Sequence, residues 1–351
     1  MAHIRTQGAQ RPWCHGAAQN NGAWHRLPLL LNGSEPPVDA VAPCCGFTRR
    51  KEHAACGPAR LGVFSGRGCT CDGLLNMSYE WRPIGCKLRP WNASRFCELL
   101  HGRVLLLAGD STMEQVAHVL RSYIRWESYG RTGDPDATCA TNVHFGLSDT
   151  LTGKTLGRLN RGRTLDDYVN KTRPGVAIVS AGAHIYGEDH FDAVLRHVRD
   201  GLARKYPAVR FVWKTQGPAG CGDERPLTSL PTYDSPFWAV EHALPPTQKP
   251  RDKFNHRLFL QRDAHAKRFF GELNGSLPHR GLRRQLVNVL DTTPLHYRAD
   301  AHLSSPGTRG RPKGGSYDCL HLCYGGGDGG PLGLVPRLLL NGVETGQIDL
   351  M

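Results

Sequence analysis

The stretch Gly102-Arg-Val-Leu-Leu-Leu-Ala-Gly-Asp-Ser111 decides how the chain is read. Arg103 to Ala108 is a short apolar run bounded by Gly102 and Gly109, the pattern of a strand buried on both faces in a parallel sheet. Asp110-Ser111 then opens a helical pattern through about Arg125, with Met113, Val116, Ala117 and Leu120 on one face. A strand running straight into a helix is the first half of a βαβ unit.

The same alternation continues downstream. Val176 to Ser180, Val209 to Trp213 and Gln285 to Leu290 read as further strands. Phe191 to Tyr206 and Phe254 to Phe270 read as amphipathic helices between them. Strands alternating with helices predict an α/β domain, with a central parallel sheet and helices on both faces. Such sheets bind ligands at the carboxyl ends of their strands. The residues to question are therefore Asp110-Ser111, Gly182 to His184, Lys214-Thr215 and Asp291-Thr292.

Upstream of Tyr79 the character changes. Residues 1–78 are rich in Gly, Pro, Cys and His without sustained periodicity, and read as a loop-dominated, partly irregular extension preceding a domain over 79–345. The chain has 12 Cys, eight of them before residue 98, and no C-x-x-C pair, so the usual structural zinc spacing is absent. Disulfides in an oxidising compartment account for them better. Five N-x-S/T acceptors, at Asn32, Asn76, Asn92, Asn170 and Asn274, agree with a glycosylated protein of the secretory pathway, in the Golgi lumen or outside the cell. No apolar segment approaches the roughly 18 residues a membrane span needs. The expectation is a targeting segment or membrane anchor upstream of this sequence.

The net charge of +13 raises nucleic-acid binding, but the cations are dispersed, with no run of four Lys/Arg and no nucleic-acid-binding motif. Nucleic acid is not an expected partner. A dispersed basic surface suits anionic glycans or membrane surfaces equally well.

Two elements carry candidate chemistry. Ser111 follows a strand and begins a helix, where its hydroxyl can face the crevice and helix-terminal amides can stabilise an oxyanion. Asp and Ser are also preferred helix N-caps, so Asp110 and Ser111 have a purely structural alternative. The second element is Asp318-Cys-Leu-His321-Leu-Cys323. Asp and His three apart can sit on one side of a turn, the carboxylate orienting an imidazole that takes the serine proton. Zinc binding by Asp318, His321 and the two Cys is the competing chemistry, and an ordinary polar turn the structural one. Asp300 and His302 rival the pair. Their spacing would point them apart on a helix, and they could instead position a sugar hydroxyl.

With these residues in view, a resemblance is plain. Tyr79-Glu-Trp-Arg-Pro-Ile-Gly-Cys86-Lys-Leu followed by Gly102 to Ser111 resembles the opening of the PC-esterase family, which includes the trichome-birefringence-like polysaccharide O-acetyltransferases. Leu290-Asp-Thr-Thr-Pro-Leu, Asp300-Ala-His302 and Asp318 to Cys323 resemble its closing block. The match spans roughly 79 to 345, and its two ends are the specific parts. It implies a three-layer α/β/α fold of the SGNH type and a covalent acyl-serine intermediate. Ser111, Asp318 and His321 match the family's triad. Gly182 and His184 fall where the wider superfamily has its oxyanion G-x-N. Cys86, Cys97, Cys319 and Cys323 are the disulfide candidates. The implied activity is O-acyl transfer, most simply of acetyl, to a glycan or polysaccharide hydroxyl, with no bound cofactor or metal but an acyl donor such as acetyl-CoA. A carbohydrate esterase and a non-catalytic glycan-binding relative are the alternatives. Two departures stand out: Glu114 replaces an Arg common in the family, and the closing block lacks its Trp.

Overall fold

A computed structural model of the chain describes residues 11–26, 79–132, 139–152, 163–217, 228–230, 256–271, 287–302, 320–322 and 331–350. In chain order the first elements are β1 (Gly22–Arg26), β2 (Tyr79–Pro83), α1 (Ala93–Leu100), β3 (Leu105–Gly109) and α2 (Ser111–Thr132). Next come β4 (Val143–Leu147), α3 (Leu165–Thr172), β5 (Val176–Val179) and α4 (Glu188–Arg196). The last are β6 (Arg210–Lys214), α5 (Phe259–Gly271), β7 (Val287–Leu290) and α6 (Pro331–Glu344).

Five strands form one sheet in the order β4-β3-β5-β6-β7, and every neighbouring pair is parallel. The predicted α/β class and parallel sheet are thus present. Alternate strand residues feed two separate cores. Leu105, Leu107, Val176, Ile178 and Val212 pack toward α1, α2 and α6. Leu106, Ala108, Ala177, Val179 and Trp213 pack toward α3, α4 and α5. The two-residue period of a strand explains the division, and buries the sheet between two helical layers.

The helices begin where side chains satisfy their first amides. Asn92 caps α1 by accepting from the Arg95 N–H, and Thr164 with Asp167 forms a capping box on α3. The helix expected over Phe191 to Tyr206 is α4 continued through a π-helical turn at His197–Leu202 and a last turn at Ala203–Lys205.

The chain enters the sheet at β3, steps outward to β4, then returns past β3 to β5 and proceeds to β6 and β7. The order reverses at β3, so the switch point of the sheet opens at its carboxyl end. Gly109 permits the close approach there. A Cβ on it would lie 2.6 Å from both Met113 Cγ and the Ser180 carbonyl oxygen.

Residues 11–26, part of the expected extension, pack on this domain. β1 pairs antiparallel with β2, Trp24 opposite Trp81, and a disulfide joins Cys14 to Cys86. Trp24 Nε1 donates to the Pro294 carbonyl at 2.8 Å, and the buried Arg298 guanidinium lies between the Trp24 and Tyr79 rings. A second disulfide links Cys97 on α1 to Cys139 before β4. All four cysteines among the described residues are therefore paired, which fits a secreted or lumenal protein. Cys319 and Cys323 lie outside the described residues. Among the described residues no helix is long and apolar enough to cross a membrane.

Candidate functional site

The turn from β3 into α2 separates the two roles that the sequence left open. Asp110 Oδ1 accepts from the Thr112 amide at 2.9 Å and from the Thr112 hydroxyl at 2.6 Å. Asp110 is therefore the cap of α2. The same device recurs after β7, where Asp291 Oδ1 accepts from the Thr293 amide and hydroxyl. This gives Asp110 the structural task that the sequence offered as its alternative. It also consumes helix-terminal donors, because the Met113 and Glu114 amides bond the Asp110 carbonyl.

Ser111 is relieved of capping, and its hydroxyl has another partner. Ser111 Oγ lies 2.7 Å from His321 Nε2, across 210 residues of sequence. Ser111 is buried and His321 half-buried. Hydrogen-bond reach between a hydroxyl and an imidazole is the geometry that general-base activation of a serine requires. Asp318 lies outside the described residues.

Gln115, one turn along α2 from Ser111, holds the His321 segment in place. Its Nε2 donates to the Leu322 carbonyl at 2.7 Å and its Oε1 accepts from the Leu322 amide at 3.1 Å. On the other side Leu322 pairs with His302 in an isolated antiparallel bridge. His302 is fully buried beside this segment, a position that supports it from behind. The Asp300 side chain is not among those described. Glu114, at the position often Arg in the resembled family, places Oε1 3.7 Å from His118 Nε2.

The end of β5 lies level with Ser111, since β3 and β5 pair Ala108 with Val179 and the Ser180 amide bonds the Ala108 carbonyl. Gly182 packs its Cα against the Gln216 side chain, leaving no room for a Cβ. Its carbonyl accepts from Arg262 Nη1 at 3.1 Å and from the Ile185 amide at 3.1 Å. His184 is buried with Nε2 3.7 Å from Asp149 Oδ1, and Asp149 is wholly buried. Asp149 was not anticipated, because it follows β4, which the sequence reading passed over.

Polar groups at the ends of β6 and β7 brace the floor. Thr215 and Thr292 share a 2.9 Å hydroxyl contact, and the buried Asp263 accepts from the Gln216 amide and contacts His296 Nε2 at 2.7 Å. The Lys214 ammonium is fully buried and donates to the Thr215 carbonyl at 2.7 Å. Burial pulls its pKa down to about 8, against the opposing attraction of Asp263 and Asp110. Lys214 lines a cavity of about 20 Å³ with Thr112, Gln115, Leu320 and Leu322, the immediate neighbours of the Ser111–His321 pair.

No family model matches the chain, and a search of the curated proteins finds no match. The functional reading rests on the residues and their geometry. Of the glycosylation candidates, Asn92 and Asn170 are exposed, while Asn32, Asn76 and Asn274 lie outside the described residues.

Proposed function

We propose that the protein is a serine-dependent O-acyltransferase of the SGNH and PC-esterase type, which moves a short acyl group, most simply acetyl, to a hydroxyl of a glycan. The observation that carries the reading is the 2.7 Å contact between Ser111 Oγ and His321 Nε2, made by a serine whose capping duty belongs to Asp110. Its place at the switch point of a parallel sheet supports it further.

In this reading His321 Nε2 takes the Ser111 proton as Oγ attacks the acyl carbonyl of a donor such as acetyl-CoA. The thiolate leaves with that proton and an acyl-serine ester remains. The acceptor hydroxyl then attacks the ester while His321 takes its proton, and the Ser111 alkoxide leaves and recovers that proton. Asp318 orients the imidazole. The backbone amides of Ser111 and Gly182 are the oxyanion donors this reading assigns.

The test is stoichiometric labelling of Ser111 by a fluorophosphonate, followed by incubation with an acetyl donor and mixed glycans. Acetylated glycan products support transfer, whereas free acetate with unmodified glycans makes the site an esterase. A protein that binds glycans without labelling at Ser111 would be the non-catalytic relative, and the proposal would fall.

A further inference from the structure

Two large apolar side chains stand out from the described surface, Ile84 on the turn after β2 and Tyr186, 41% exposed, on the loop after β5. The setting of Tyr186 is unlike that of an ordinary surface tyrosine. Its loop is pinned from below at three carbonyls. Arg262 Nη1 donates to Gly182 and to Ile185, at 3.1 and 3.0 Å, and Gln216 Nε2 donates to Ala181 at 2.5 Å. Arg262 is itself fully buried and also binds Glu188 at the start of α4. The loop is thereby held on a rigid base, and Tyr186 is partly exposed on it.

Strand register locates the base of this loop. Gly109 of β3 pairs with Leu147 of β4, so Ser111 and Asp149 stand two residues past the same level. β4 and β5 flank β3 and are roughly 10 Å apart at the usual strand spacing. His184 from one and Asp149 from the other nonetheless approach to 3.7 Å. The pair closes over the carboxyl end of β3, beside the turn that carries Ser111. Tyr186 follows His184 by two residues on the same pinned loop, and burial, then the Asp149 charge, push its pKa up.

We propose that Tyr186, with the Asp149–His184 pair at its foot, forms the subsite that holds a sugar ring of the acceptor next to Ser111. This rests on the acyl-transfer reading for its orientation, though binding itself does not. A tyrosine presents a broad apolar face and a polar tip. The face stacks on the C–H side of a pyranose, and the phenolic hydroxyl bonds one of the ring's hydroxyls. The rigid loop means that little ordering is lost on binding.

The experiment compares wild-type protein with Tyr186→Ala, Tyr186→Leu and Tyr186→Phe, each as the full chain. Binding is measured by saturation-transfer NMR and calorimetry with xylotetraose, galactotetraose and sialyllactose, and Ser111 labelling by a fluorophosphonate is followed in parallel. Expected are at least tenfold weaker glycan binding in Tyr186→Ala and Tyr186→Leu, near wild-type binding in Tyr186→Phe, and labelling rates within twofold throughout. Unchanged glycan binding in Tyr186→Ala, or no binding of any of the three glycans by wild type, overturns the subsite. Absent labelling of wild-type Ser111 overturns the acyl-transfer reading separately, since binding is read without chemistry.

Discussion

Gln115 grips Leu322 by both of its backbone polar atoms, donating to the carbonyl at 2.7 Å and accepting from the amide at 3.1 Å. Ser111 and Gln115 are four apart on α2 and so lie on one face of a single helix. One rigid element therefore carries the nucleophile and also clamps the neighbour of His321. That explains how groups so distant in sequence come to hydrogen-bond distance.

Replacing Gln115 should damage catalysis without touching a reacting atom. Gln115→Ala leaves the buried Leu322 amide and carbonyl without this partner, at a cost of about 1–3 kcal/mol. A loosened His321 should lower the rate of Ser111 acylation about 10- to 100-fold. Gln115→Met fills the space without the hydrogen bonds and should be nearly as slow. Wild-type acylation in Gln115→Met, measured by fluorophosphonate labelling kinetics, would refute the clamp.

Much of this arrangement was legible from the sequence, for identifiable reasons. The run ending at Ala108 is apolar because β3 is buried on both faces, and local pattern suffices to show that. The Asp318 to Cys323 motif pointed to His321, which does meet Ser111. β4 escaped notice because His144 and Gly146 interrupt Val143-His-Phe-Gly-Leu147 at an edge position of the sheet. With β4 went Asp149. α6 was hidden by Pro331, Gly333, Pro336 and Gly342, although most of its residues are buried. The Gln115 clamp and the docking of β1 on β2 depend on contacts remote in sequence, which no local period records.

The division of labour at the β3–α2 turn predicts different outcomes for adjacent residues. Ser111→Ala removes no cap but does remove the hydrogen bond to His321, so its stability should fall by about 0.5–1.5 kcal/mol while acylation is lost. Asp110→Ala removes the cap and should cost about 0.5–2 kcal/mol. Ser111→Ala combined with His321→Ala should be scarcely less active than either alone, because members of such a unit do not act additively. Urea unfolding and labelling of the four proteins check this. A Ser111→Ala protein that is destabilised but keeps its activity per folded molecule would return Ser111 to a structural role.

The disulfides should be present in protein recovered from an oxidising compartment, and peptide mapping without reduction should recover Cys14 linked to Cys86 and Cys97 linked to Cys139. The first closes a sequence separation of 72 residues. Its loss should cost about 4 kcal/mol on the loop-entropy account. Cys14→Ala with Cys86→Ala should also loosen Trp24 from Pro294, seen as a shift in tryptophan emission. Free thiols at these four positions would remove the compartment argument.

Lys214 supplies a pH signature of its own. Its pKa in the folded protein is about 8, against an ordinary 10.5, because burial outweighs the attraction of Asp263 and Asp110. Below pH 8 the ammonium is charged in both folded and unfolded chains, and the folded state bears the full cost of burying it. Between pH 8 and 10.5 the folded state has released the proton while the unfolded chain retains it. The unfolded state then binds more protons, so stability rises with pH across this window. The shift corresponds to about 3 kcal/mol over the whole window. Other groups titrate as well, so the comparison is with Lys214→Met, which lacks this one. The stability difference, wild type minus variant, should be flat below pH 7 and move toward the wild type from pH 8 to 10. Urea titrations at four or five pH values measure it directly. A difference that stayed constant, or moved toward the variant, would mean that Lys214 is stabilised as a cation by its two carboxylates, and the balance of burial against attraction argued for it would be reversed.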